Sequence, residues 1–141
     1  MNLNEILVTG LLLIAGIIDI KYKKVNILLL FLFIIIGIIS GLYYQRLSLM
    51  SILGGITIGA AIVVIAMITQ GRIGKGDGMV LIVTGLFLGF FDNLFLLFSA
   101  AFLAAILGAI LLIMKRVNKN YEMPFIPFLF IAWIGDLILW S

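Results

Sequence analysis

Six apolar runs, separated only by short charged or glycine-rich connections, take up nearly all of the 141-residue sequence, at about 4–20, 27–44, 50–70, 78–91, 93–114 and 124–140. Each is long enough, or nearly so, to cross a hydrocarbon core of about 30 Å as a helix of roughly 20 residues. A membrane barrel would instead read as alternating strands of roughly ten residues. The predicted fold class is therefore an all-α integral membrane protein, a compact bundle of about six transmembrane helices forming a single domain over 1–141. Connections this short leave no room for a soluble domain. The fourth run is short, and only Asp92-Asn93 separates it from the fifth, so the two are expected to form either a tight helical hairpin or one long broken helix.

Composition agrees, with 65% apolar and 11% charged residues, far from the soluble norm. The sequence contains no cysteine and no histidine. That excludes thiol nucleophiles, disulfides, Cys/His metal sites, haem and iron–sulfur ligation, and any Ser-His or Cys-His triad. Chemistry in this chain must run on carboxylates, with no metal or cofactor required.

The net charge of +3 matters less than where the charges sit, so the partner it points to is the bilayer and not nucleic acid. Eight of the nine basic residues fall in alternate connections: Lys21, Lys23 and Lys24; Arg72 and Lys75; Lys115, Arg116 and Lys119. Only Arg46 lies elsewhere. The positive-inside rule then turns those three connections towards the cytoplasm and leaves both termini outside. Tyr22 and Tyr121 would sit at the inner interface, and Tyr43, Tyr44 and Trp140 at the outer one. No Lys or Arg precedes the first apolar run, unlike a cleaved signal peptide, so that run reads as a retained span.

Between the third and fourth runs lies Gly71-Arg72-Ile73-Gly74-Lys75-Gly76-Asp77-Gly78. The missing side chains of Gly74 and Gly76 would let backbone, water or an extended peptide approach the Asp77 carboxylate closely. Asp77 alone could equally cap the next helix in an ordinary turn. Asp19 changes the balance. It ends the first run at the same predicted membrane face, 58 residues earlier in sequence. Either acid alone reads as solvated or paired with a neighbour such as Lys23 or Lys75. Two at one depth suggest an aspartate pair sharing a proton, because like charges a few Å apart do not both ionise cheaply. Helix dipoles alone favour Asp77, at a helix N-terminus, as the base over Asp19, at a helix C-terminus.

The other acids are weaker candidates. Asp136 lies roughly 18 Å along a helix from Pro124, towards the opposite face, with Asp92 and Glu5 also at that outer side. Glu122 is on the correct face but reads as a solvated loop acid. Gly37/Gly41, Gly55/Gly59, Gly85/Gly89 and Ala104/Gly108 have the small-x-x-x-small spacing that lets helices approach closely in lipid, read here as packing within the bundle, with dimerisation the alternative.

Three blocks resemble the type IV prepilin peptidase family, membrane aspartic proteases with a Gly-x-Gly-Asp motif. Asp19-Ile-Lys-Tyr-Lys-Lys-Val-Asn26 is similar to the family's first aspartate, basic run and following Asn; Gly74-Lys75-Gly76-Asp77 is the motif; Pro124-Phe125-Ile126-Pro127-Phe128 resembles the block that opens the last helix. The first block lacks the usual proline before Asn26, and Asp77 is followed by Gly-Met-Val where many members carry Val-Lys. Pro124 and Pro127 would also suit a plain helix start. The resemblance implies catalytic Asp19 and Asp77, with Gly74, Lys75, Gly76, Asn26, Pro124 and Pro127 shaping the site. It further implies a prepilin-like precursor as substrate, in type IV pilus assembly or protein secretion, cut at the cytoplasmic membrane face after a glycine. The family's zinc-bound Cys-x-x-Cys insert, found in members that also methylate the product, has no counterpart in the short connection after the first run. The rival readings are a small transporter or proton-coupled channel, for which paired acids nearer the midplane are expected, and a non-catalytic assembly factor.

Overall fold

The computed structural model describes residues 3–22, 26–44, 48–69, 75–114 and 125–140, and these are helical with no strand among them. The elements are α1 (Leu3–Tyr22), α2 (Ile27–Tyr44), α3 (Leu49–Ile68), α4 (Lys75–Ile113) and α5 (Ile126–Trp140). Three of them are long and apolar enough to cross a membrane, Leu3–Tyr22, Leu49–Ile68 and the Gly76–Ile113 stretch of α4; Ile27–Tyr43 and Ile126–Leu139 are shorter apolar helices. Large apolar side chains such as Leu28, Phe31, Ile39 and Ile68 stand exposed around the outside, the surface a lipid solvent selects.

The fourth and fifth apolar runs form one element with a break. Gly89 adopts φ 80°, ψ −172°, a conformation open in practice to glycine alone. In a straight helix Leu81 and Asn93 would be about 18 Å apart. Instead the Asn93 amide donates to the Leu81 carbonyl at 3.0 Å, so residues 90–113 turn back alongside 75–88. The chain therefore turns at Gly89, ahead of the Asp92-Asn93 pair that the sequence offers as the connection. Asn93 is fully buried, donating also to the Gly55 carbonyl at 3.0 Å and accepting from the Thr84 hydroxyl at 2.6 Å. A break of this kind orphans carbonyls on one side and N–H groups on the other, which an apolar solvent cannot satisfy. The Asn4 amide donates to the Phe87 carbonyl at 3.2 Å, and the Phe90 N–H donates to the Ser51 hydroxyl at 3.2 Å. Asn4 in turn accepts from buried Ser40 at 3.0 Å, tying α1, α2 and α4 at this end.

Antiparallel α3 and the first half of α4 meet along a seam of glycines. A methyl group on Gly55 would come within 2.7 Å of the Gly85 carbonyl oxygen, and one on Gly59 would strike the Ile82 backbone nitrogen. Gly55/Gly59 thus pack within the bundle, as their spacing suggested. Gly85 joins that seam, whereas Gly89 supplies the turn. The α1–α5 seam is built differently. The Trp133 indole donates to the Thr9 hydroxyl at 2.8 Å, and the core there comes from Val8, Leu11, Leu12 and Ala15 against Ile126, Leu129, Ala132 and Trp133.

Candidate active site

Both predicted carboxylates lie on the buried stripes of their helices, one turn beyond the apolar core. In α1 the stripe runs Val8, Leu11/Leu12, Ala15, Asp19. In α4 Asp77 precedes Val80/Leu81, Thr84 and Phe87/Leu88 at the same spacing of three to four. Helical periodicity therefore turns both side chains inward at the end of the bundle where α1 finishes and α4 begins.

Asp19 is 7% exposed and its Oδ2 accepts the Ile126 N–H at 3.3 Å, with the Phe125 N–H a second backbone donor. These donors come from the start of α5, Ile126 in its first turn and Phe125 just ahead of it, where N–H groups have no partner within the helix. Pro127, next in sequence, lacks an N–H at a position where none is needed. It also faces α1, where the Cβ of an alanine at Gly16 would lie 3.6 Å from the Pro127 Cα. The described part of the Pro-Phe-Ile-Pro-Phe block therefore fixes the start of α5 against the Asp19 carboxylate. Pro124 lies outside the described residues. At Asp19 the C-terminus of α1 meets the N-terminus of α5, whose field and donors offset the α1 dipole and remove the preference for Asp77 as the base.

Asp77 is half-buried in the first turn of α4, after the half-buried Gly76. Gly78, immediately after it, is held against α3: a methyl there would lie 2.7 Å from Val63 Cγ2, 2.8 Å from the Val63 nitrogen and 3.0 Å from the Gly59 oxygen. Where the family pattern carries a larger residue, this chain has a glycine that lets α4 start directly on α3. The two carboxylates come close enough that the charge of Asp19 acts on Asp77. Lys75 opens α4, but its side chain, like all of Gly74, lies outside the described residues.

Asn26 plays a local part. Its exposed side chain accepts from the N–H groups of Leu28 and Leu29, at 2.9 and 3.4 Å, capping α2. Those bonds run to its own helix and not to the aspartates.

This arrangement, one carboxylate on backbone donors and a second beside it at a helix start, coincides with a sequence match. A family model described as the type IV leader peptidase family matches residues 6–113, most of the chain and both aspartates. The chain belongs to the type IV leader peptidase family. Membership supports a leader-peptidase function in a membrane protein, and the α5 donors to Asp19 lie beyond the matched segment. No curated protein and no solved structure matches the chain.

The residues the sequence reading missed act on position. Gly78, packed against Gly59 and Val63 of α3, sets where the first turn of α4 carries Asp77, and Asn93 with Thr84 holds the turn at the far end of that stretch. The three-to-four spacing of Asp77, Val80/Leu81 and Thr84 was the available signal for an inward-facing carboxylate.

Proposed function

We propose that the protein is an aspartic endopeptidase that removes the short basic leader of a type IV prepilin-like precursor at the cytoplasmic membrane face. One observation carries the reading: within the family-matched segment, two buried or half-buried carboxylates from distant parts of the chain lie within electrostatic reach of each other. Asp19 has the acceptor contacts that an ionised carboxylate uses, so it is assigned as the base and Asp77 as the acid. Asp19 takes a proton from water as the water oxygen bonds to the scissile carbonyl carbon, while Asp77 donates its proton to the carbonyl oxygen. When the tetrahedral intermediate collapses, the C–N bond breaks, the amine leaves with the proton held by Asp19, and Asp77 recovers its own.

The distribution of basic residues along the sequence supports a cytoplasmic site and both termini outside, with Lys21, Lys23 and Lys24 following Asp19 in the chain and Arg72 and Lys75 preceding Asp77. Gly74 and Gly76 would leave room for an extended peptide beside Asp77, and Pro127 with Pro124 would form the floor through α5. Without a zinc-bound insert, this reading expects cleavage and not methyl transfer.

The test is leader removal from a co-expressed precursor by Asp19→Asn and Asp77→Asn variants. Each should lower cleavage by about 10²- to 10⁴-fold while the protein still inserts and accumulates. Asparagine keeps an oxygen for the Ile126 N–H, so Asp19→Asn removes the proton-transfer role and spares the α1–α5 contact. Robust cleavage by either variant would sink the assignment.

A further inference from the structure

At the end of the bundle away from Asp19 and Asp77, Glu5, Asp92 and Asp136 line a cavity of about 600 Å³ together with Phe95, Phe98 and Trp133. Asp136 follows Ile126, Leu129 and Ala132/Trp133 on the buried stripe of α5 and is 9% exposed. Among the described residues it has no hydrogen bond and no ion pair, and the charge close to it is that of Asp92, of the same sign. The contrast with Asp19 is direct: an equally buried carboxylate there is met by backbone donors, whereas Asp136 opens into a cavity. A carboxylate that meets no donor and faces an apolar-walled cavity is costly to hold ionised unless a cation offsets it.

The walls narrow the choice of cation. Among the described residues no group of three or more acids is arranged to hold a metal ion. Aromatic faces, by contrast, attract organic cations, and the Trp133 ring is held in place by its bond to Thr9. The volume falls in the range of about 300–1,000 Å³ usual for small-ligand sites. Phe98 is 63% exposed, so the cavity rim runs into the apolar outer surface of residues 90–113. We propose that this cavity binds an organic ammonium, its charged group at Asp136 and Asp92 and its apolar body along Phe95 and Phe98. Two sources share that chemistry, the headgroup of an aminophospholipid and a free amphiphilic amine.

The experiment uses the full chain in a non-ionic detergent. Trp133 and Trp140 are its two tryptophans, so a Trp140→Phe background makes Trp133 the reporter. Octyltrimethylammonium should change the emission saturably, while octanol and octanoate should not. Asp136→Asn and Asp92→Asn should each weaken the response by about tenfold, and Asp136→Glu should restore it. Asp92 is exposed, so its replacement reports binding even if Asp136→Asn folds poorly; Phe98→Ala should weaken binding with every carboxylate kept. In nanodiscs, competition by phosphatidylethanolamine but not phosphatidylglycerol assigns the lipid source, and its absence assigns the free amine. A response that never saturates, that octanol reproduces, or that survives both Asp92→Asn and Asp136→Asn overturns the proposal.

Discussion

The two proposed catalytic carboxylates reach one end of the bundle along seams of opposite construction. Asp77 arrives on the α3–α4 seam, where Gly55, Gly59, Gly78 and Gly85 bring backbone close against backbone, with the Val63 and Ile82 side chains packed beside the contacts. Asp19 arrives on the α1–α5 seam, where ordinary side-chain packing is punctuated by two polar contacts, Trp133 to Thr9 and Ile126 to Asp19. In lipid, removal from water gives helices little reason to associate, so packing and hydrogen bonds must supply the contact. Each seam relies mainly on one of these. Asp77 is therefore positioned sterically, with almost no tolerance for added volume, and Asp19 by direction, with some tolerance for volume and little for lost donors.

The largest expected effect lies where the seams converge. If the two carboxylates share one proton, the active form is the singly protonated pair. At low pH both are protonated and no base remains; at high pH both are ionised and no acid remains. The cleavage rate of purified enzyme on a precursor peptide should therefore be bell-shaped, falling steeply on both sides, with limbs that belong to the pair. A rate that climbs steadily into alkali, in an enzyme shown to stay folded, would mean that the two seams do not deliver a dyad.

Next comes Gly59→Ala, which attacks the steric seam. The new methyl group would meet the Ile82 nitrogen and lie 2.7 Å from the Gly78 oxygen, both backbone atoms that cannot rotate away. The helices must part, at a cost of about 1–3 kcal/mol. Because Gly78 adjoins Asp77, the displacement reaches the carboxylate, and a shift of about 1 Å at a reacting group costs about 10²-fold in rate. Cleavage should fall by about that factor, and thermal stability in detergent should drop. Wild-type activity in Gly59→Ala would show that Asp77 is not held by the glycine contact.

Trp133→Phe tests the polar seam more gently. It removes the bond to Thr9, while the Thr9 hydroxyl keeps its own bond to the Glu5 carbonyl at 2.7 Å. A stability loss of about 1 kcal/mol is expected, with cleavage lowered only modestly because Ile126 and Asp19 still meet. A loss as large as that of Gly59→Ala would erase the contrast between the seams.

These contrasts also explain what could be read in the sequence. The apolar runs and the packing role of Gly55/Gly59 were legible because composition and spacing are local properties, and the placing of Asp19 and Asp77 at one end of the bundle followed from counting those runs. Gly89 was not, since a glycine in a small-x-x-x-small pair reads as packing, while Asp92-Asn93 reads as a loop in an apolar context. Asn93 is needed inside because the doubled-back helix places the Leu81 and Gly55 carbonyls beside it, a requirement that exists only once the chain has folded. The α5 donors to Asp19 were hidden for the same reason, lying 107 residues away in sequence.

The smallest expected effect is the most discriminating control. Gly16→Ala places the same added methyl on the α1–α5 seam, one turn from Asp19 and facing Pro127. There the new carbon would sit 3.6 Å from the Pro127 Cα, 3.7 Å from its nitrogen and 4.0 Å from the Ile126 carbonyl carbon, all ordinary van der Waals separations. Nothing has to move, so the Ile126 N–H keeps its direction towards Asp19. Replacing a mid-helix glycine by alanine also removes backbone freedom from the unfolded chain, which by itself favours the helix by roughly 0.5–1 kcal/mol. Gly16→Ala should therefore leave cleavage within about twofold of wild type and hold or slightly raise the melting temperature, measured beside Gly59→Ala in one detergent. The two variants carry an identical chemical change near the two carboxylates and differ only in the seam that receives it. Should Gly16→Ala lose activity as Gly59→Ala does, glycine would be required at both seams, and Asp19 would be as sterically constrained as Asp77.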